Sequence, residues 1–249
     1  MEPMTQSSDL LEKILQDIQS HGRKALVVFD LDSTLFDVSP RTQKILSDFT
    51  EDPQNRRLFP QSVEAMKTLK VRSQDWGVKQ ALIRHGLHTH PVDFHQAVRQ
   101  YWIDRFFSGD YLKHDRPLPG AVDFVKAVVA TGARVVYLTG RDQATMLQAS
   151  RMVLETHGFP PAELVLKPQK GSDDALFKVN WFSEQNPKDY ATVYFFENEP
   201  VNIHHVSERH PEVKIVFVDS THSGKAEVSK DWPCLVNFSR ALQKDSASE

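Results

Sequence analysis

The chain has 249 residues, 40% of them apolar and 25% charged, with a formal charge of −3. That composition excludes a disordered or fibrous chain, and the near balance of charge provides no field to draw in a polyanion, so nucleic acid is not expected as a bulk partner. The length suits either one large core or a core with a smaller domain inserted into it.

Leu10, Leu11, Ile14, Leu15 and Ile18 recur at helical spacing behind Ser7 and Ser8, either of which can cap a helix, and the pattern stops near Gly22. Glu2, Asp9, Glu12 and Asp17 interrupt these apolar residues, so no secretion signal is expected. No stretch has the length of a membrane span, and the chain is expected to be soluble and cytoplasmic. Residues 25–29 form a short apolar run with two valines, which predicts a buried strand. From 37 to 119 no comparable run occurs, and helices are predicted over 62–71, 76–85 and 92–107. Strand-like runs resume at 134–138, 164–166, 193–196 and 214–218, with helical patterning between them. The polar tail, 244–249, is expected to be disordered. The single cysteine, Cys234, has no internal disulfide partner, which fits a reducing compartment, and is expected to be a packed side chain rather than a nucleophile.

Strands alternating with helices imply crossover connections, hence an α/β fold with a Rossmann-like, mainly parallel sheet covered by helices on both faces. The interval between the first two runs is too long for a bare crossover. The predicted organisation is therefore a core made of 1–36 and 120–249, with a helical cap, 37–119, inserted between its first and second strands.

In such sheets ligands lie beyond the carboxyl ends of the strands, so the polar residues just after each run share one rim. That rim carries Asp30, then Thr139-Gly140-Arg141-Asp142, then Glu197-Asn198-Glu199, with Lys167 after the third run and Lys178 on the helix beyond. The set suits phosphoryl transfer, in which a carboxylate nucleophile needs positive charge and fixed donors to approach phosphate. Asp30 can attack phosphorus, and Asp32, if the segment curls back, can exchange a proton with the leaving oxygen and the attacking water. Thr139 and the backbone of Gly140 offer donors, Lys178 a point charge, and Glu197 an oxygen ligand for magnesium. Lys167 and Lys170 compete with Lys178 for its role. Thr139 and Asp142 could instead serve only as a helix entry, with Thr139 as its cap.

These residues, in this order, resemble the haloacid dehalogenase superfamily, with Asp30-x-Asp32-x-Thr34 as first motif, Leu138-Thr139-Gly140-Arg141 as second, Lys178 as third, and Glu197-Asn198 through Asn202 as fourth. The resemblance implies a magnesium-dependent phosphatase working through an aspartyl-phosphate on a small phosphorylated metabolite, whether a small molecule or a nucleotide, and it likens 37–119 to the family's helical C1 cap. By the same resemblance the metal falls to Asp30, the backbone carbonyl of Asp32, and Glu197 or Asn198. The fourth motif departs from the usual pattern, since an acidic pair, or a glycine or serine before aspartate, is replaced by Glu197 and Asn198. A phosphomutase-like transfer to an acceptor other than water, and a non-catalytic module that binds a phosphorylated ligand, are competing readings. The substrate and the oligomeric state are not legible. His85, His88, His90 and His95 are expected in a polar loop rather than a zinc site. Arg99, Tyr101, Trp102, Arg105 and Phe106 form a basic and aromatic set suited to helix packing or to substrate recognition.

Overall fold

The computed structural model describes residues 3–240. In chain order these form α1 (Pro3–His21), β1 (Ala25–Phe29), β2 (Phe36–Asp37), α2 (Ser39–Glu51), α3 (Pro53–Leu58), α4 (Pro60–Met66), α5 (Gly77–Arg84), α6 (Val92–Phe106) and β3 (Arg116–Pro117). There follow α7 (Ala121–Ala130), β4 (Arg134–Asp142), α8 (Gln143–Thr156), β5 (Glu163–Lys167), α9 (Asp174–Glu184), β6 (Thr192–Glu197), α10 (Pro200–Arg209), β7 (Val213–Val218) and β8 (Cys234–Leu235).

Six strands make one sheet in the order β5-β4-β1-β6-β7-β8, every neighbouring pair parallel. All five residues of β1 are buried, because the strand lies mid-sheet with helices on both faces. Its alternation sorts them: Ala25, Val27 and Phe29 enter a cluster with α1, α7 and the end of α8, while Leu26 and Val28 enter another with α9 and α10. The sheet is therefore Rossmann-like, and all five predicted core runs are strands within it. A sixth, β8, is only two residues long and too short to show a period.

Between β2 and β3, which pair antiparallel through Phe36 with Pro117 and Asp37 with Arg116, lie α2 to α6. Their inward residues, among them Phe49, Val63, Met66, Leu82, Phe94 and Val98, form a hydrophobic cluster of their own. The helix predicted over 62–71 instead starts at Pro60 and stops at Met66. Beyond it the Gln43 amide takes over the backbone, accepting from Val71 N at 2.8 Å and donating to the Leu69 carbonyl at 3.2 Å, while Leu69 itself is buried. Helix α1 begins before both serines named as caps. Cys234 is exposed on the edge strand rather than packed. The tail 244–249 lies outside the described residues. No helix among those described is long and apolar enough to cross a membrane.

Candidate active site

The chain leaves β1 by a tight loop wound about one carbonyl. The N–H groups of Thr34, Leu35 and Phe36 all point to the Leu31 oxygen, and Ser33 N returns to the Phe36 oxygen. Ser33 takes a left-handed φ of 66°, unusual for a residue with a Cβ. The loop sets Asp30 at the carboxyl end of the central strand, its N–H still in register with the Phe196 carbonyl.

Lys178, on the inward face of α9 and 1% exposed, brings its ammonium 2.8 Å from Asp30 Oδ1, 2.6 Å from Glu197 Oε2 and 3.6 Å from Asp174 Oδ2. Lys167 donates to the Ser172 carbonyl and stands 4.0 Å from Asp174 Oδ1, without reaching Asp30 or Glu197. Three carboxylates thus crowd one ammonium. Burial pushes the Asp30 carboxyl well above the usual carboxylate range against the pull of Lys178, and Glu197 and Asp174 push the same way. Burial opposes the charge on Lys178, yet Asp174, Asp30 and Glu197 hold its pKa well above the ordinary lysine value.

Glu197 closes β6 with both oxygens engaged. Oε1 accepts from the N–H groups of Asn198 and Glu199 at 2.9 and 3.0 Å, and Oε2 accepts from Lys178 and from Asn202 Nδ2 at 3.2 Å. Asn198 accepts from Thr34 Oγ1 at 3.0 Å and donates to the Thr221 carbonyl at 2.6 Å, which ties the first and fourth motifs together.

Thr139 is buried in β4, and its hydroxyl accepts the N–H of Arg141. The cap of α8 is Asp142, whose carboxylate accepts from Thr145 N at 2.9 Å; Thr139 does not have that role. At Gly140 a Cβ would stand 2.5 Å from Asp174 Oδ1, so a larger residue there would displace that carboxylate.

Asp32 lies in a cluster of four charged side chains that joins the first motif to α2, β4 and the residue before β3. Arg41 of α2 reaches it at 3.0 Å and Arg141 at 2.5 Å, and both guanidiniums also bond Asp115, just before β3. Arg41, Arg141 and Asp115 are buried, whereas the Asp32 side chain keeps 26% of its surface. Burial alone would raise the Asp32 pKa, but Arg141 and Arg41 hold it well below the usual carboxylate range. Arg41, Asp115 and Asp174 are site residues that sequence reasoning missed. Arg41 and Asp115 stand 74 positions apart, and no local pattern connects them. Arg141 was visible as the end of Thr-Gly-Arg.

Among the described residues no group of three or more His, Cys, Asp or Glu side chains is arranged to hold a metal ion. The donors present nonetheless suit one hard cation. No protein hydrogen bond among the described residues reaches Asp30 Oδ2, Asn198 Oδ1 accepts only one, and the three carboxylates about Lys178 leave negative charge in excess. The four histidines between β2 and β3 do not gather: His90 bonds Ser62, and His85 lies against Thr68. In the aromatic set, Arg105 stacks on Tyr101, Trp102 donates to Thr42, and Phe106 lies under Arg41.

The family profile described as haloacid dehalogenase-like hydrolase matches residues 24–179. Among solved structures, the chain is similar to a haloacid dehalogenase-superfamily hydrolase of subfamily IA, variant 1, from Geobacter sulfurreducens. Identity is 15%, TM-score 0.47, with 82% of this chain and 93% of that one covered. A haloacid dehalogenase-like family hydrolase from Streptococcus pneumoniae gives 13% and 0.46, covering 79% and 85%. A chain of the Pnkp1/Rnl/Hen1 complex gives 14% and 0.46, with 81% of this chain covered but only 47% of that one, so the chain spans about half its length. A search of curated proteins found no match.

Proposed function

The chain belongs to the haloacid dehalogenase-like hydrolases, and from that premise we propose that it is a magnesium-dependent phosphatase that hydrolyses a small phosphomonoester through an aspartyl-phosphate on Asp30. The observation that carries this reading is the buried contact of Lys178 with Asp30 and Glu197 at the strand ends, which leaves the second oxygen of Asp30 without a protein partner. A carboxylate so placed, beside a fixed cation and facing the rim, is prepared to meet an anionic electrophile.

In the first displacement an oxygen of Asp30 bonds to phosphorus as the ester P–O bond breaks, and the leaving oxygen takes a proton from Asp32. In the second, water attacks phosphorus, gives a proton to Asp32, and releases inorganic phosphate with Asp30 restored. The guanidiniums of Arg41 and Arg141 hold Asp32 in place and favour its ionised form, which suits the acceptor role. The negative charge of an incoming phosphate near Asp32 raises its proton affinity and so eases proton uptake before the first displacement. Lys178 and the backbone about Thr139 and Gly140 are assigned to the phosphate oxygens. Magnesium would be held by Asp30, the Asp32 carbonyl and the Asn198 amide oxygen, with Glu197 orienting them from behind. When bound, it supplies charge that neutralises the phosphate and keeps Asp30 ionised. Residues 37–119 are assigned the role of a cap that encloses the site.

The test is hydrolysis of p-nitrophenyl phosphate with magnesium by the wild type and by Asp30→Asn, whose amide keeps the shape but is a very poor nucleophile. Wild-type turnover with complete loss in the folded variant is the expected result. Steady-state activity retained by Asp30→Asn in a preparation free of other phosphatases would exclude this mechanism.

A further inference from the structure

Beyond the phosphate site the rim holds a second concavity, a cavity of about 270 Å³ between the loop after β7 and the stretch leading into α5. Its wall is joined to the candidate site on both sides. Ser220 Oγ donates to the carbonyl of Ser33, inside the first motif, and the Thr221 carbonyl accepts from Asn198 of the fourth. Thr221 Oγ1 in turn donates to the Gln74 carbonyl and closes the loop onto the helical segment. The loop that walls this cavity is thus hydrogen-bonded directly to the first and fourth motifs.

The lining is unusual in composition: Gln74 and Gln80 on one side, and residues 219–224, Asp-Ser-Thr-His-Ser-Gly, on the other. No aliphatic or aromatic hydrocarbon side chain takes part. Much of its hydrogen-bonding capacity is unused by the protein. Gln80 spends its carbonyl on Trp76 N and keeps its NH₂ free, and His222 uses only Nδ1, toward Gly224 N. Neither the Gln74 amide nor the Asp219 carboxylate has a hydrogen-bond partner among the described residues. A surface of this kind gives an apolar group little to bury against and offers a nucleobase only the His222 imidazole to stack on, while Asp219 repels a second anionic group. It rewards a ligand that presents several hydroxyls.

We propose that this cavity receives the non-phosphoryl part of the substrate, and that this part is uncharged and rich in hydroxyls, as in a sugar or polyol phosphate. The inference rests on the phosphatase reading above, since it takes Asp30 as the point of attachment. Gln74 and Gln80 are the specificity residues, and both are exposed, so their truncation leaves the packed interior intact.

The experiment measures kcat and KM with magnesium for glucose 6-phosphate, sorbitol 6-phosphate, a nucleoside 5′-monophosphate, 3-phosphoglycerate and p-nitrophenyl phosphate, for the wild type and for Gln74→Ala/Gln80→Ala. The hydroxylated phosphates are expected to have the lowest KM among the natural esters. The double variant is expected to lower kcat/KM for them relative to p-nitrophenyl phosphate by about tenfold, through KM, as befits two lost neutral hydrogen bonds. An active wild type that prefers the nucleotide or the carboxylate-bearing ester, or a ratio unmoved in the double variant, would overturn the assignment of the cavity and leave the phosphatase reading standing. A wild type inert toward all five would overturn both.

Discussion

Arg41 has none of the surface that an arginine normally keeps, and its guanidinium is matched instead by Asp32 and Asp115 and by the face of Phe106 at 4.4 Å. Removing one partner of such a buried set is costly because the charge left behind has lost its solvent and its counter-ion. Arg41→Met is therefore expected to lower the unfolding free energy by about 3–5 kcal/mol. Arg41→Met/Asp115→Leu should lose less, since Asp32 and Arg141 remain as a matched pair; urea denaturation of the three proteins decides, and a double variant weaker than the single one would refute the account. Glu197 calls for a different reading at the same scale. Its four hydrogen bonds show a carboxylate committed to holding Lys178, Asn202 and the turn into α10. In Glu197→Gln, keeping the two backbone bonds turns an NH₂ toward the Lys178 ammonium, donor against donor, so the lysine and Asp30 both lose their alignment. The magnesium concentration for half-maximal turnover is expected to rise on the order of tenfold. An unmoved titration curve would mean that Glu197 supports neither metal nor lysine.

Among the elements, α1 packs on the sheet through Leu11, Ile14, Leu15 and Ile18 and is also tied to it by one carboxylate. Asp17 Oδ2 accepts from Lys214 and Tyr194, each at 2.7 Å, and from Thr192 at 3.3 Å. Burial works to raise its pKa, but the bonds from Lys214 and Tyr194 prevail and hold it below the ordinary carboxylate value. A depressed folded pKa means that the native state binds this proton less readily than the unfolded chain does. The stabilisation is thus present above the unfolded value of about 3.9 and is lost as pH falls through the folded one. Thermal melts between about pH 5 and pH 2 should show a steeper fall for the wild type than for Asp17→Asn; parallel curves would show that the contact is not felt in solution. The strands that α1 packs near were legible because Ala25–Phe29 and its neighbours are short apolar runs bounded by polar residues. Their carboxyl ends disclosed Asp30, Thr139 and Glu197 for the same reason. Two-residue strands such as β2, β3 and β8 have no period to read, and the end of α4 is set by Gln43, a side chain far back in the chain. The Arg41 and Asp115 pairing was illegible in the same way, since it exists only once α2 and β3 are brought together. All the proposed chemistry was expected on the core rim. From the helical segment, Arg41 adds a grip on Asp32.

For the molecule as a whole the formal charge of −3 is small, but its distribution is uneven at the one place where it matters. Asp30 and Glu197 are buried and Asp174 half-exposed about Lys178, with Lys167 4.0 Å from Asp174, and burial sets the first two above the usual carboxylate range against the pull of Lys178. A dication bound there relieves a cost that the folded chain otherwise carries and the unfolded chain does not, so binding appears as stability. At a magnesium concentration one hundred times its dissociation constant the gain is about 2.7 kcal/mol. For a chain of this size that corresponds to a rise in Tm of roughly 5–10 °C. Asp30→Asn removes the carboxylate whose second oxygen has no protein partner, and with it most of the expected rise. Melting the wild type and Asp30→Asn over a magnesium series at neutral pH, with sodium chloride at matched ionic strength, separates a site-bound cation from general screening. A wild type that does not respond, or an equal response in the variant, would place the cation elsewhere or make its binding wait for the substrate phosphate. Addition of inorganic phosphate to the same melts distinguishes those two outcomes, because a site completed by the anion answers to magnesium only when phosphate is present.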